Sequence, residues 1–464
     1  MPEYLSPGVY VEEVPSQIQP IVGVSTSTPA FVGIVKDQVQ IPEENPDYDP
    51  SKPADDKNKS YRTWTFPYAS TDFDAAKTAF DALAQPGVKP ARPLDNKTPQ
   101  GLKAFRAAQG NLSVAARRIA AGDMADEGTP YLCTTFAEFK QHFGDFSLDP
   151  DQRNLVHGVY GFFNNEGTRC YVMRYKDMTS LQAPTALMPL EAIDEISMVV
   201  APGITDPVVQ GNIIDHCENL HDRVAILDAL PNPGDLTEGN IKVMTNTDYG
   251  ALYFPRIKVF DIVTKLTDPT VDEGEIPVSP SGHVAGIYAR VDHTRGVHKA
   301  PANEPIHGAL GVETQISKAL QDGLNPGGIN CIRNMNGKIL VWGARTIGGD
   351  LNFDTKYVST RRLLIFLEKS IDHGTQWVVF EPNDRSLWAK IERNVGAFLT
   401  TVWRDGALFG STPQEAFYVT CNDNNNPPEE RDLGKVTIDI GVAIVKPAEF
   451  VIFRIQQWAG PAAQ

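Results

Sequence analysis

From Lys356 onward the sequence carries two different hydrophobic periods in close succession, and few folds satisfy both. Leu363, Leu364, Leu367 and Ile371 recur at the spacing of one helical face. Pro382-Asn383-Asp384 supplies a capping residue ahead of a second stripe, and this predicts a second helix. The stripe is Leu387, Trp388, Ile391, Val395, Phe398, Leu399 and Val402. Then the period changes. Val436, Ile438, Ile440, Val442 and Ile444 alternate with Lys435, Thr437, Asp439, Gly441 and Ala443, the pattern of a half-buried strand that Pro447 ends. Trp377-Val378-Val379-Phe380 reads as a short buried strand, and the run Phe450 to Ile455 as a last one. Two helices packed on a mixed sheet of at least three strands is the α+β core that these periods predict.

Upstream, the pattern is α/β. Ile196 to Gly203 predicts a strand and turn, Pro207 to Leu220 a helix, and Arg223 to Asp228 a second strand, paired in parallel through the crossover helix. Leu252 to Pro255 and Lys258 to Asp261 extend that unit, and Val22 to Val35 reads as a strand entering the core. Between Lys36 and Pro130 the composition shifts. Pro42, Pro46, Pro50 and Pro53 stand among Glu43, Glu44, Asp47, Asp49, Asp55 and Asp56, which is loop chemistry. Ala75 to Leu83 and Ala104 to Ala121 read as helices, and the whole segment as an insertion exposed on the outer surface. At the start, Gly8 to Val14 alternates between Pro7 and Pro15, a strand that needs a sheet to join. It is either an edge strand of its own domain or a strand donated to a neighbour by β-augmentation.

Charge narrows the function classes. A formal net charge of -16 argues against nucleic acid or an anionic membrane as the main partner, since both demand basic surface. Met1-Pro2-Glu3-Tyr4 has no basic leader and no apolar run reaches membrane-spanning length, so synthesis in the cytoplasm without a signal peptide is expected. Cys133, Cys170, Cys217, Cys331 and Cys421 are odd in number and far apart, which favours reduced thiols.

Candidate chemistry is sparse. The turn of the α/β unit, Ala201-Pro202-Gly203-Ile204-Thr205, lacks the spacing of a phosphate loop, and Pro202 removes an amide such a cradle needs. Only Asp206 and Asp228 present themselves as polar residues after its strands. Asp215-His216-Cys217 cannot converge as a catalytic trio, because consecutive helical residues point about 100° apart. Cys217 is expected to pack inward, with Asp215 or His216 solvated. His293, His298 and His307 surround Asp292 and Arg295 without a zinc spacing. Trp388 and Trp403 fit core packing better than a ligand-stacking pair. For Arg361 and Arg362 two readings stand, a carboxylate ion pair or anion binding. No cofactor, metal or catalytic residue is expected. Arg385, Lys390 and Arg393 lie off the apolar stripe of the second C-terminal helix with Glu392 as the only acid among them, a solvated face by default.

Several stretches, in order, resemble the sheath subunit of contractile phage tails and related injection particles. They are Ser6 to Glu13, Ser281 to Arg290, Lys299 to Asn303, Ser359 to Leu363, Trp377 to Asp384, Trp403 to Leu408 and Pro447 to Phe450. The resemblance implies a multidomain tail-sheath architecture, α/β plus α+β, with a mixed-sheet C-terminal core, a middle α/β domain and extended strand arms at both ends. The corresponding division is an N-terminal arm at 1–20, a core at 21–35 plus 280–447, an outer insertion at 36–130, a middle domain at 131–279 and a C-terminal arm at 448–464. It further implies that Val9, Tyr10, Val11, Glu12, Val451, Phe453 and Ile455 make contacts between subunits, and that Arg385, Lys390 and Arg393 face an inner tube. The partners implied are the chain itself, in hexameric rings stacked into a helical sheath, the tube protein, and baseplate and terminal cap proteins, with no nucleic acid and no membrane insertion. The function implied is contraction that drives the tube through a target envelope, in a phage tail or a phage tail-like particle. The alternatives are a non-contractile self-assembling shell, or an α/β enzyme using residues 196–261.

Overall fold

The computed structural model describes residues 20–49, 51, 59–86, 88–95, 98–231, 233–242, 246–268 and 272–454. The chain forms two compact units. The larger is Ser25–Ile365 with the segment from Lys446, and the smaller is Phe366–Val445 with the described residues before Ser25.

In the larger unit, β1 (Pro29–Ile34) leads into a hairpin of β2 (Val39–Glu44) and β3 (Tyr61–Phe66), then helices α1 (Ser70–Asp81) and α2 (Pro99–Ile119). There follow β4 (Tyr131–Cys133), α3 (Phe136–Phe143), α4 (Pro150–Asn164), β5 (Cys170–Tyr175), β6 (Met198–Val200), α5 (Pro207–Leu220), β7 (Val224–Asp228) and β8 (Gly250–Phe254). Next come β9 (Ile257–Phe260), β10 (Glu275–Val278), α6 (Ser281–Arg295), β11 (Glu304–Pro305), β12 (Ala309–Val312), β13 (Ile329–Met335) and β14 (Lys338–Val341). One described sheet of nine strands runs β11-β14-β13-β8-β7-β6-β1-β5-β4. Its interior from β13 to β5 is parallel, and β4, β14 and β11 close the edges antiparallel.

Strand chemistry explains the burial. Along β7, Val224 and Ile226 enter one apolar cluster while Ala225 and Leu227 enter another on the opposite face. β1 divides its residues likewise, Phe31 to one side and Ala30, Val32 and Ile34 to the other. Parallel strands covered on both faces read as continuous apolar runs for this reason. Leu155, Val159 and Phe162 of α4 and Val284, Ile287 and Tyr288 of α6 cover the first face; Val209, Ile213 and Cys217 of α5 cover the second. Helices α5 and α4 start where their caps dictate: the Asp206 carboxylate accepts from the Val208 and Val209 amides, with Pro207 in the first turn, and Asp149 caps α4 in the same way. Helices α4 and α6 meet across glycines, where a Cβ at Gly282 would come within 2.3 Å of the Gly158 carbonyl oxygen.

The smaller unit holds the later part of α7 (Val358–Thr375), all of α8 (Arg385–Arg404) and a two-stranded sheet of β15 (Phe417–Thr420) and β16 (Asp439–Val442). Asp384 caps α8 by accepting from the Leu387 amide at 2.8 Å, and all seven residues of the expected stripe are buried.

Five expectations need correction. Trp377-Val378-Val379-Phe380 is not a strand but a 3-10 turn at the end of α7, with Val379 and Phe380 exposed. The alternating run 435–444 forms only the four-residue β16, because β15 opposes it for just four residues. Phe450 to Phe453 pair with no strand among the described residues and stand in the open; Ile455 lies outside them. The boundary expected at 279/280 separates nothing, since β8 pairs with β13 and the sheet runs through both segments. Nor is 36–130 wholly an exposed insertion: Val39, Ile41 and Phe66 of the β2–β3 hairpin are core residues, while α1 buries none.

Candidate assembly surfaces

The polar residues that an enzyme would need at the carboxyl ends of the strands are spent on the fold. Asp206 caps α5. Asp228, fully buried at the end of β7, accepts from the Gly203 amide at 3.0 Å and from the Ser281 amide and hydroxyl at 2.9 and 2.6 Å, tying the β6 turn and the start of α6 to the sheet. Cys217 is buried and Asp215 exposed as expected; His216 is also buried, beside Arg223. Burial, assisted by that guanidinium, lowers its pKa to about 4. Among the described residues no three His, Cys, Asp or Glu side chains gather as a metal ion would need.

What the structure does display is two pinned chain segments and one basic helix face. The first segment precedes β1. Ile21 packs against Gly374 and the Val24 amide donates to the Ser370 hydroxyl at 3.1 Å, both on α7. One residue pair further on, Arg362 donates to the Thr26 carbonyl at 2.8 Å and to Asp292 at 2.9 Å, while the Thr26 hydroxyl donates to Asp292 at 2.6 Å. Arg361 pairs with Asp248. Of the two readings open for these arginines, the carboxylate ion pair is the one realised. Val9, Tyr10, Val11 and Glu12, expected to contact other subunits, lie outside the described residues.

The second segment follows Val445. The Glu449 carboxylate receives four hydrogen bonds: Arg345 Nε and Nη2 donate at 2.8 Å each, Asn325 Nδ2 at 2.7 Å and the Tyr357 hydroxyl at 2.9 Å. Burial raises the Glu449 pKa, but those bonds outweigh it and hold the carboxyl below the usual range. Directly after it, Phe450, Val451, Ile452 and Phe453 are 70–83% exposed. Four consecutive apolar side chains in water are costly unless another surface covers them. Sequence reasoning singled out Val451 and Phe453 but missed Glu449 and Arg345 as their anchor. A lone acid between two apolar runs was the available signal.

On α8, Arg385 and Arg393 are exposed and Lys390 half-buried. Lys390 and Arg393, three residues apart, share a face with the exposed Arg404. Arg385 is partly engaged, pairing with Asp423 at 2.8 Å, and Glu392 accepts from the Cys421 amide. Neither Lys390 nor Arg393 has a carboxylate partner among the described residues. The structure therefore brings two of the three expected cations together and turns the third toward its own chain.

Comparison with known proteins agrees with this reading of the folds. The model of the phage tail sheath protein central domain matches residues 181–347, and that of the phage tail sheath C-terminal domain residues 351–457, together more than half of the chain. A tail sheath protein of Burkholderia phage BcepMu is 27% identical over 226 residues, which is 47% of this chain and 44% of that relative, so the aligned stretch spans less than half of the relative's length. Among solved structures, the PVC sheath complex of an extracellular contractile injection system, in its contracted state, is similar with a TM-score of 0.66 and 22% identity over 99% of both chains. The contracted helical sheath of the anti-feeding prophage matches with a TM-score of 0.64 and 22% identity over 98% of this chain and 99% of that one. The chain belongs to the phage tail sheath protein family.

Proposed function

We propose that this chain is the structural subunit of a contractile sheath, polymerising helically in six-membered rings around an inner tube and contracting to drive that tube through a target envelope. It is made in the cytoplasm and works mechanically, not as an enzyme. The observation that carries the reading is the exposed apolar run Phe450–Phe453 in a chain whose smaller unit also holds a two-stranded sheet. An isolated two-stranded sheet is marginal in water, and an extended apolar segment from another copy is what would complete it. Contacts of this kind are heterologous and non-closing, and they build open helical polymers.

The basic face of α8 supports the second half of the reading. Lys390 and Arg393 suit a salt-sensitive grip on an acidic tube, firm enough to load the sheath and weak enough to let it slide. Co-expression with the neighbouring tube and baseplate genes tests the whole proposal by negative-stain electron microscopy. Striated cylinders, some long around a tube and others short and wide, are expected; cylinders that never hold a tube would favour a non-contractile shell. Lys390→Glu combined with Arg393→Glu should leave sheath polymers intact while abolishing their loading on tubes, and unchanged co-assembly would remove the tube-facing role.

A further inference from the structure

The segment after Val445 is held to the larger unit in an unusual way. Among the described residues, the main chain of 446–454 makes no hydrogen bond, so side chains do the holding. Lys446 sits over the exposed Phe353 ring, at 5.2 Å from its centroid. The polar attachment is Glu449. Each of its oxygens accepts two hydrogen bonds in a slot made by Asn325, Arg345 and Tyr357. A bidentate guanidinium–carboxylate pair fixes direction as well as position, which a single ammonium contact does not. Arg345 is itself buried and pinned, donating to the Asn325 carbonyl and to Asp350, each at 3.0 Å. The slot is therefore formed by the larger unit without help from the segment it receives.

We propose that Glu449 is a latch that sets the point and direction from which residues 450–454 leave the subunit, so that Phe450–Phe453 are presented, already oriented, to a second copy of this chain. The proposal rests on the sheath reading for the identity of that second copy, but not for the latch itself. A free tether of this composition would have to be ordered at each assembly event, whereas a fixed root removes much of that entropy cost. The same design makes the latch separable from folding. Without Glu449, Arg345 keeps Asp350 and the Asn325 carbonyl, so no buried charge is stranded.

Two readouts on the full chain test this. Spin labels at Ile452→Cys and Lys318→Cys, both exposed sites in the larger unit, report the distance distribution by pulsed electron resonance while the five native cysteines stay buried. The unaltered background should give a narrow distribution and Glu449→Ala a broad one, with Glu449→Gln between them. In assembly with the tube protein, Glu449→Ala should lower the yield of cylinders about ten-fold or more, the loss expected for a charge-assisted bidentate contact. An equally narrow distribution in Glu449→Ala overturns the latch, as does an undiminished cylinder yield. If the unaltered chain forms no cylinders, the sheath reading fails, and the distance distribution still decides the latch.

Discussion

Asp228 couples the stability of the larger unit to pH. Burial pushes its carboxyl up to about 6, against the hydrogen bonds from Ser281 and Gly203 that favour the charged form. An unfolded aspartate gives up its proton near pH 3.9, so between there and pH 6 the folded state holds a proton that the unfolded state has lost. Stability from this group therefore falls as pH rises through that window, by up to about 3 kcal/mol. Asp261 and Glu449, with lowered values, act in the opposite sense at lower pH, and His216 and His283, which burial lowers to about 4 and about 3, do so within the same window, so the effect is read as a difference between two proteins. Relative to Asp228→Asn, the unaltered chain should lose stability between pH 4 and 6.5 in urea unfolding. A constant gap between the two across that range would show that the carboxylate is already charged when folded.

At the scale of elements, the crossing of α4 and α6 is set by glycine. A Cβ at Gly286 would lie 2.5 Å from the Phe162 carbonyl oxygen and 2.7 Å from the Asn165 Cβ. Backbone cannot swing aside as a flexible side chain can, so Gly286→Ala should cost about 1–3 kcal/mol. Gly396 on α8 has no atom within 4 Å of the same position, and Gly396→Ala should raise stability by about 0.5–1 kcal/mol through helix propensity alone. Opposite shifts of the urea midpoint in the two variants are the expected result. These crossings were not legible in the sequence: Gly282 and Gly286 stand four apart on one helix face, but nothing local names Gly158 and Phe162 as the backbone they meet. Elements with local punctuation were: Asp206-Pro207 announced α5 and Asp384 announced α8, because a cap and a stripe are readable within one helix. Trp377–Phe380 and 450–453 misled because an apolar run names no partner, and a strand exists only where one is supplied. The sheet order was hidden for the same reason, β1 pairing with β5 and β6 across long stretches of chain. In the candidate surfaces, the charges on α8 could be counted from the sequence, whereas the claim of Asp423 on Arg385 depends on a loop whose position no local pattern encodes.

At the scale of the whole molecule, the two ends of the chain are asymmetric in a way that makes them separable. Among the described residues, the segment before β1 is fastened by the Ile21 side chain against Gly374, the Val24 amide on Ser370, and Thr26 between Arg362 and Asp292. Removing residues 1–20 leaves every one of these contacts in place, so the subunit should fold with an unchanged melting temperature. A helical polymer needs at least two different patches per subunit, one offered and one received, and losing either stops growth without harming the monomer. The truncated chain should therefore remain a monomer by analytical ultracentrifugation under conditions where the full chain forms cylinders. Mixed with full-length chain, it should shorten the cylinders, because it still receives a neighbour's segment but offers none at its own N-terminal end. Cylinders of full length from the truncated chain alone would mean that the N-terminal residues play no part in joining subunits, and that the exposed run held out by Glu449 suffices.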